Sequence, residues 1–193
     1  MKINRSTGPD RIPAEALKAC PEKLNRLLLA MINRIKSSTQ YPEQWAEGLT
    51  SLLHKEGDDE DPNNFRAITV TNTISKLLAI MINERLQKFI QEKNIMKKEQ
   101  IGFEKKTRPS DHLFVLKSLI DHYNGQGKTL YACFVDFQKA FDSVWRTGMY
   151  YKMINYGIEP GIIKLIQNMY EKTTQRLKFE NKTSRKFLTH RGV

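Results

Sequence analysis

At 193 residues, with 39% hydrophobic and 27% charged side chains, the chain has room for one domain or one and a half and is too apolar to be disordered. It carries 32 basic against 21 acidic residues, a formal charge of +11, and no apolar run of bilayer-spanning length or signal-like apolar N-terminus, so membrane and secreted classes are disfavoured. Cys20 and Cys133 are too few and too scattered for a disulfide framework or a zinc site, and an intracellular setting, cytoplasmic or nuclear, is expected.

Residues 22–38 place Leu24, Leu27, Leu28, Met31, Ile32 and Ile35 on one helical face, behind Pro21 at the helix start. Leu49–Lys55 and Phe65–Val70 read as strands that could pair around an acidic loop. Residues 73–91 repeat the helical pattern with Ile74, Leu77, Leu78, Met81, Ile82, Leu86, Phe89 and Ile90. Ser110-Asp111 reads as an N-cap for a helix to about Tyr123, with Leu113, Leu116 and Ile120 inward. Gly125-Gln-Gly127 then breaks it.

Thr129–Val135 is a nearly unbroken apolar run that suits a strand buried on both faces, with Cys133 inside it. Trp145–Asn155 and Pro160–Tyr170 read as two helices separated by Gly157. Leu177 and Phe179 alternate with polar residues, as do parts of Arg185–Thr189. With Asn181-Lys-Thr-Ser184 between them they predict a hairpin with one exposed face.

The charge is unevenly spread. Glu56, Asp58, Asp59, Glu60 and Asp61 crowd one loop, which is expected to point into solvent. Lys172–Arg191 holds seven Lys or Arg and the single acid Glu180. Arg176, Lys178, Arg185 and Lys186 are therefore candidate nucleic-acid contacts, unless this basic surface serves solubility alone.

The most informative stretch is Phe134-Val-Asp-Phe-Gln-Lys-Ala-Phe-Asp142. A carboxylate at the end of a buried strand, as expected for Asp136, needs a metal ion, a cation or hydrogen bonds to offset its charge. Locally, Asp136 reads equally well as an N-cap after a strand. Phe141 is a core aromatic or part of a site, and Asp142 a structural or capping carboxylate.

The segment resembles the first carboxylate motif of reverse transcriptases of non-LTR (LINE-type) retrotransposons, aromatic-x-Asp-(aromatic or Leu)-x-Lys-Ala-Phe-Asp. Other stretches are similar to that family in the same order: Gly8-Pro-Asp-Arg-Ile-Pro-Ala-Glu15, Asn64-Phe-Arg-Ala-Ile68, Ser75-Lys-Leu77 with Glu84-Arg-Leu86, Gln100-Ile-Gly-Phe103 with Ser110-Asp-His-Leu113, and Arg191-Gly-Val193. Together they cover almost the whole chain.

The resemblance implies an α/β fold: right-hand polymerase fingers over residues 1–128, mainly helical with a small β-hairpin, then part of a palm with an incomplete sheet over 129–193. It implies an RNA-directed DNA polymerase that works with Mg²⁺, deoxynucleoside triphosphates, an RNA template and an RNA/DNA primer-template. Asp136 would be the catalytic carboxylate and a metal ligand, with the carbonyl of Phe137 beside it. Two-metal sites hold their ions about 3.5–4 Å apart between several carboxylates. Phe141 would lie under the incoming sugar and exclude a 2′-hydroxyl. Lys55 and Arg66, on the two strands around the acidic loop, would reach the triphosphate, or are ordinary surface cations.

The family's Asp-Asp hairpin lies beyond its Arg-Gly motif, and after Asp136 no Asp-Asp occurs before Val193. The implied chain is an N-terminal fragment, inactive alone and doubtful in its metal. The alternative is a retrotransposon-derived nucleic-acid-binding module without catalysis. Three positions depart from the family pattern: Arg11 stands where Gly is favoured, Ala67 where Pro is, and Glu104 where Arg is frequent.

Overall fold

The computed structural model describes residues 1–97, 99–104, 107–180 and 182–192. It divides into two compact units, Met1–Lys88 with the chain from Phe141 onward, and Phe89–Ala140.

The first unit is mixed α/β. Helix α1 (Ala14–Lys18) is short, and α2 (Glu22–Ser38) begins directly after Pro21, whose missing N–H removes none of the helix's own bonds. Strands β1 (Glu47–His54) and β2 (Phe65–Thr71) pair antiparallel from Gly48 opposite Thr71 to His54 opposite Phe65. Helix α3 (Thr73–Glu92) follows one residue later. After Phe141 come α5 (Arg146–Asn155) and α6 (Pro160–Glu171), separated at Gly157, whose φ of 77° is left-handed.

The sheet is completed by β3 (Thr174–Phe179), β4 (Lys182–Thr183) and β5 (Phe187–Leu188). Its order is β2-β1-β3-β4, with β5 also on β3. The strands expected over Leu49–Lys55 and Phe65–Val70 and the hairpin after Leu177 are formed, while the parallel pairing of β1 with β3, Glu47 opposite Thr174, had no sequence signal. Lys178 faces Thr183 but Gln175 faces Phe187, so the returning strand carries one extra residue between its two paired stretches, a bulge. The expected turn residue Asn181 lies outside the described residues.

The core of this unit gathers Ile32 and Ile35 of α2, Leu78 and Ile82 of α3, Met153 of α5, and Ile163, Leu165 and Ile166 of α6. Each such side chain contributes about 1.5–3 kcal/mol when fully buried. Asn168 on α6 donates to the Thr39 carbonyl at 2.7 Å, holding the left-handed C-terminus of α2. Only the C-terminal half of the α2 stripe is covered; Leu24 and Leu27 stay exposed.

The second unit contains α4 (Pro109–Gly125). Its N-cap is Arg108 rather than Ser110-Asp111. Asp111 sits in the first turn and accepts a hydrogen bond from the Arg108 N–H at 2.8 Å. Its expected inward face is open, since Leu113 is exposed and no α4 residue is buried.

The buried strand expected over Thr129–Val135 is not formed. Those residues have no regular structure, and Tyr131, Phe134 and Val135 are 90%, 80% and 75% exposed. Cys133 is exposed with them. A strand satisfies its backbone only through neighbours. No described strand pairs with this stretch. Among the described residues no helix is long and apolar enough to cross a membrane.

Candidate functional site

A cleft of about 1100 Å³ opens in the first unit. Thr71 and Thr73 in its lining are held by Gly8-Pro-Asp10. A side chain at Gly8 would place a Cβ 2.3 Å from the Thr71 carbonyl oxygen, so only glycine allows this approach. Asp10 then grips the start of α3. Its carboxylate accepts from the Thr73 N–H at 2.7 Å and the Ile12 N–H at 3.3 Å, while its own N–H donates to Asn72 Oδ1 at 2.9 Å. A carboxylate at a helix N-terminus meets free N–H groups and a favourable dipole. Asn72 donates onward to the Gln44 carbonyl at 2.7 Å. Arg11, where the family favours Gly, has φ 54°, which explains the preference.

The cleft floor is one face of the sheet. Thr50 Oγ1 lies 2.8 Å from Thr69 Oγ1 and donates to Gln175 Oε1 at 3.1 Å, a polar line across β2, β1 and β3. The Tyr41 hydroxyl sits 2.6 Å from Ser75 Oγ and donates to the Trp45 carbonyl at 3.2 Å. Burial pushes the Tyr41 and Tyr170 hydroxyls above their ordinary pKa, against the opposing pull of Ser75 on the first and Arg146 on the second. Both are neutral polar groups at neutral pH.

One wall brings Phe141 and Asp142 against Arg191-Gly192. Gly192 has φ 81°, its N–H donates to the Val144 carbonyl at 3.3 Å, and a Cβ there would come within 3.0 Å of the Asp142 Cα. Val193, the last residue of that motif, lies outside the described residues. Arg146 ties this wall together. Sequence reasoning passed over it, because an arginine opening a helix has no distinguishing pattern.

The expected site residues fall in three places. Phe141 lines the cleft. Asp136 and Phe137 belong to the second unit, where both are exposed, Phe137 by 76%. Among the described residues no group of three or more His, Cys, Asp or Glu could hold a metal ion. One exposed carboxylate with a neighbouring carbonyl cannot hold two cations about 4 Å apart, so the described donor set does not fit a two-metal centre.

The cations occupy the sheet face turned away from the cleft. Residues opposite each other in a register share a face, and faces alternate along a strand. Arg66 is opposite Leu53, Arg176 opposite Leu49 and Lys178 opposite Ser51, all on the face away from Thr50 and Thr69. Lys55 continues that face, its N–H donating to the Asn64 carbonyl at 2.9 Å and its Nζ 3.6 Å from Glu56 Oε1. The neighbouring acids Glu56, Asp58, Asp59 and Glu60 are exposed, as expected, while Asp61 is half-buried and accepts a hydrogen bond from the Asn63 N–H at 2.9 Å.

Glu47, with a side chain 16% exposed, sits between two of the four expected nucleic-acid contacts. Arg176 Nε is 2.8 Å from its Oε1, close but poorly aligned for a hydrogen bond, and Lys186 Nζ is 2.5 Å from its Oε2. Lys178 and Arg185 are exposed. Leu53 and Ile68 lie open among the cations, which gives this face both apolar and basic character.

Comparison with known proteins gives the same family as the motifs. The family model described as reverse transcriptase (RNA-dependent DNA polymerase) matches residues 53–193. The chain is 29% identical over 154 residues to the probable RNA-directed DNA polymerase from transposon BS of Drosophila melanogaster, covering 79% of this chain and 17% of that protein. It is 28% identical over 152 residues to the probable RNA-directed DNA polymerase from transposon X-element of the same organism, covering 78% and 17%. Over all 193 residues it is 24% identical to the retrovirus-related Pol polyprotein from type-2 retrotransposable element R2DM of that fly, covering 18% of it. The chain thus spans under a fifth of the length of these curated relatives.

Proposed function

This chain belongs to the reverse transcriptase (RNA-dependent DNA polymerase) family, and from that premise we propose that it serves RNA-templated DNA synthesis in a non-LTR retrotransposon polymerase. Residues 1–128 act as fingers and 129–193 as the first part of the palm of a right-hand polymerase. The reaction is addition of deoxynucleotides to a 3′-hydroxyl on an RNA template, with Mg²⁺ as the family's metal, in an intracellular setting. The observation that carries this reading is the family match over residues 53–193, which contains Phe134–Asp142 whole.

Asp136 and the Phe137 carbonyl supply oxygen donors that become a metal site only where further carboxylates join them. Phe141 screens the sugar of a nucleotide in the cleft. Lys55 and Arg66, on the sheet face turned away from that cleft, meet phosphate groups of the nucleic-acid backbone together with Arg176, Lys178, Arg185 and Lys186 rather than the triphosphate of that nucleotide. What supports the backbone assignment is the shared sheet face, where Arg66 on β2 and Arg176 and Lys178 on β3 flank β1 beside exposed apolar side chains. Cations set along neighbouring strands match a phosphate backbone, and apolar groups between them can meet bases.

The test is primer extension on an RNA template with Mg²⁺, run with this chain and with a relative's polymerase in which residues 1–193 replace the matching segment. Extension by that chimera that is lost in Asp136→Ala is expected. A chimera that binds primer-template but never extends it would overturn the polymerase reading and leave a binding module.

A further inference from the structure

Arg146, at the first position of α5, spends its guanidinium on main-chain carbonyls from separate segments. Nε donates to Gly192 at 2.8 Å, Nη2 to Arg191 at 3.1 Å, and Nη1 to Tyr170 at 3.0 Å and Thr189 at 3.1 Å. The guanidinium also lies over the Tyr170 ring, 4.8 Å from its centroid. Tyr170 is in the last turn of α6, so a positive charge there also answers the helix dipole. One side chain therefore joins the end of α6, the residue after β5 and the Arg191-Gly192 pair.

That pair is pressed onto Phe141–Asp142 by the close approach of Gly192. Arg191 is exposed and lines the cleft, with Lys2, Arg5 and Lys76 also in the lining and Asp142 the single acid among the described lining residues. The cleft attracts anions.

We propose that Arg146 is a positioning residue: it fixes Thr189–Gly192 against Phe141–Asp142 and so presents Arg191 to a phosphate group in the cleft. This rests on the reading above that the chain handles nucleotides or nucleic acid. The planar fork matters, because a lysine ammonium is a point charge that cannot hold carbonyls arrayed around a guanidinium. The phosphate comes from a nucleoside triphosphate or from a nucleic-acid backbone, two sources with the same chemistry.

The test uses the 193-residue chain and the variants Arg146→Lys, Arg191→Ala and their double. Binding of deoxythymidine triphosphate and of an RNA–DNA primer-template is titrated separately, to tell the two sources apart. Amide hydrogen exchange at 189–192 and thermal unfolding are followed on the same samples. The expected result is faster exchange at Arg191 and Gly192 in Arg146→Lys with the global unfolding transition retained. Affinity for one of the two probes should fall about tenfold in each single variant, the size of one charge-assisted contact. The double variant should bind no worse than Arg191→Ala, because positioning acts only through Arg191.

Full additivity of the two losses would overturn the proposal, as would unchanged exchange at Gly192. If Arg146→Lys does not fold, Gly192→Ala takes its place, since an added Cβ displaces the same segment from Asp142. Binding by the wild type with no loss in Arg191→Ala overturns the inference and leaves the family reading standing. A wild type that binds neither probe removes the phosphate role and counts against the functional reading as well.

Discussion

The carboxylate of Asp10 accepts a hydrogen bond from the backbone N–H of Thr73 at 2.7 Å, across 63 positions of sequence. It turns Gly8-Pro-Asp10 from an isolated motif into the cap of α3, whose Thr73, Ser75 and Lys76 line the cleft. Gly8 packs on the Thr71 carbonyl, Asn72 bonds both to Asp10 and to Gln44, and the Thr73 hydroxyl donates to Ile12. The motif is explained by this clasp.

Asp10→Ala should therefore destabilise the fold by about 1–3 kcal/mol, because a helix-start N–H beside buried Asn72 and Thr73 loses its charged acceptor. Urea unfolding of the variant against wild type measures it. A change under about 0.5 kcal/mol would mean that water replaces the carboxylate at no cost.

Arg11→Gly should act in the other direction. Arg11 sits at φ 54° while its N–H closes a turn onto the Gly8 carbonyl at 3.0 Å. Glycine removes the left-handed strain and gives back part of it as unfolded-chain entropy, for a net gain of about 0.5–1 kcal/mol. A raised urea midpoint with an unchanged slope is the expected signature. A lowered midpoint would show that the arginine side chain contributes more than the backbone loses.

In a relative's polymerase carrying residues 1–193 in place of its own matching segment, Asp136→Ala should reduce nucleotide addition to below about a tenth of the unsubstituted chimera while the protein still binds primer-template, since a ligand shared by two metals contributes several kcal/mol. Single-turnover extension distinguishes this from weakened binding. Activity retained above that level would remove Asp136 from the metal site, and since the next helix begins only at Arg146 it would not be a helix cap either.

Phe141→Val in the same polymerase should raise incorporation of ribonucleotides relative to deoxynucleotides by opening room for a 2′-hydroxyl. Competition between the two nucleotide pools reads the ratio directly. An unchanged ratio would assign Phe141 to packing against the Arg191-Gly192 wall alone.

The basic sheet face should respond unevenly to charge reversal. Lys178→Glu with Arg185→Glu should weaken binding of single-stranded RNA and lower the slope of log affinity against log salt by roughly 0.7 per contact, with little change in stability. Arg176→Glu should also destabilise the fold, because it sets a second carboxylate against the largely covered Glu47. Anisotropy titrations at several salt concentrations, beside urea unfolding, separate the two effects. Equal behaviour of the two pairs would mean that Glu47 does not restrain Arg176 and Lys186.

Local pattern was enough for the presence of α2 to α6 and for the β1–β2 hairpin, but not for the short α1 or for which face of α4 is covered. The spacing of Ile32 and Ile35, of Leu78 and Ile82, and of Ile163 and Ile166 sets the faces of α2, α3 and α6, since a 3.6-residue period is written into the chain itself. The family was legible too, because its motifs are short runs of residue types that survive without any contact being known. Tertiary structure alone decided which elements find partners. The Thr129–Val135 stretch has the composition of a buried strand, yet no described strand pairs with it, because a pairing partner is a property of the assembled structure and not of the run itself. The same holds for β3 beside β1, for Glu47 between Arg176 and Lys186, and for Arg146 reaching Gly192. Each joins residues far apart in sequence, and their nearness follows from backbone geometry that no local period encodes.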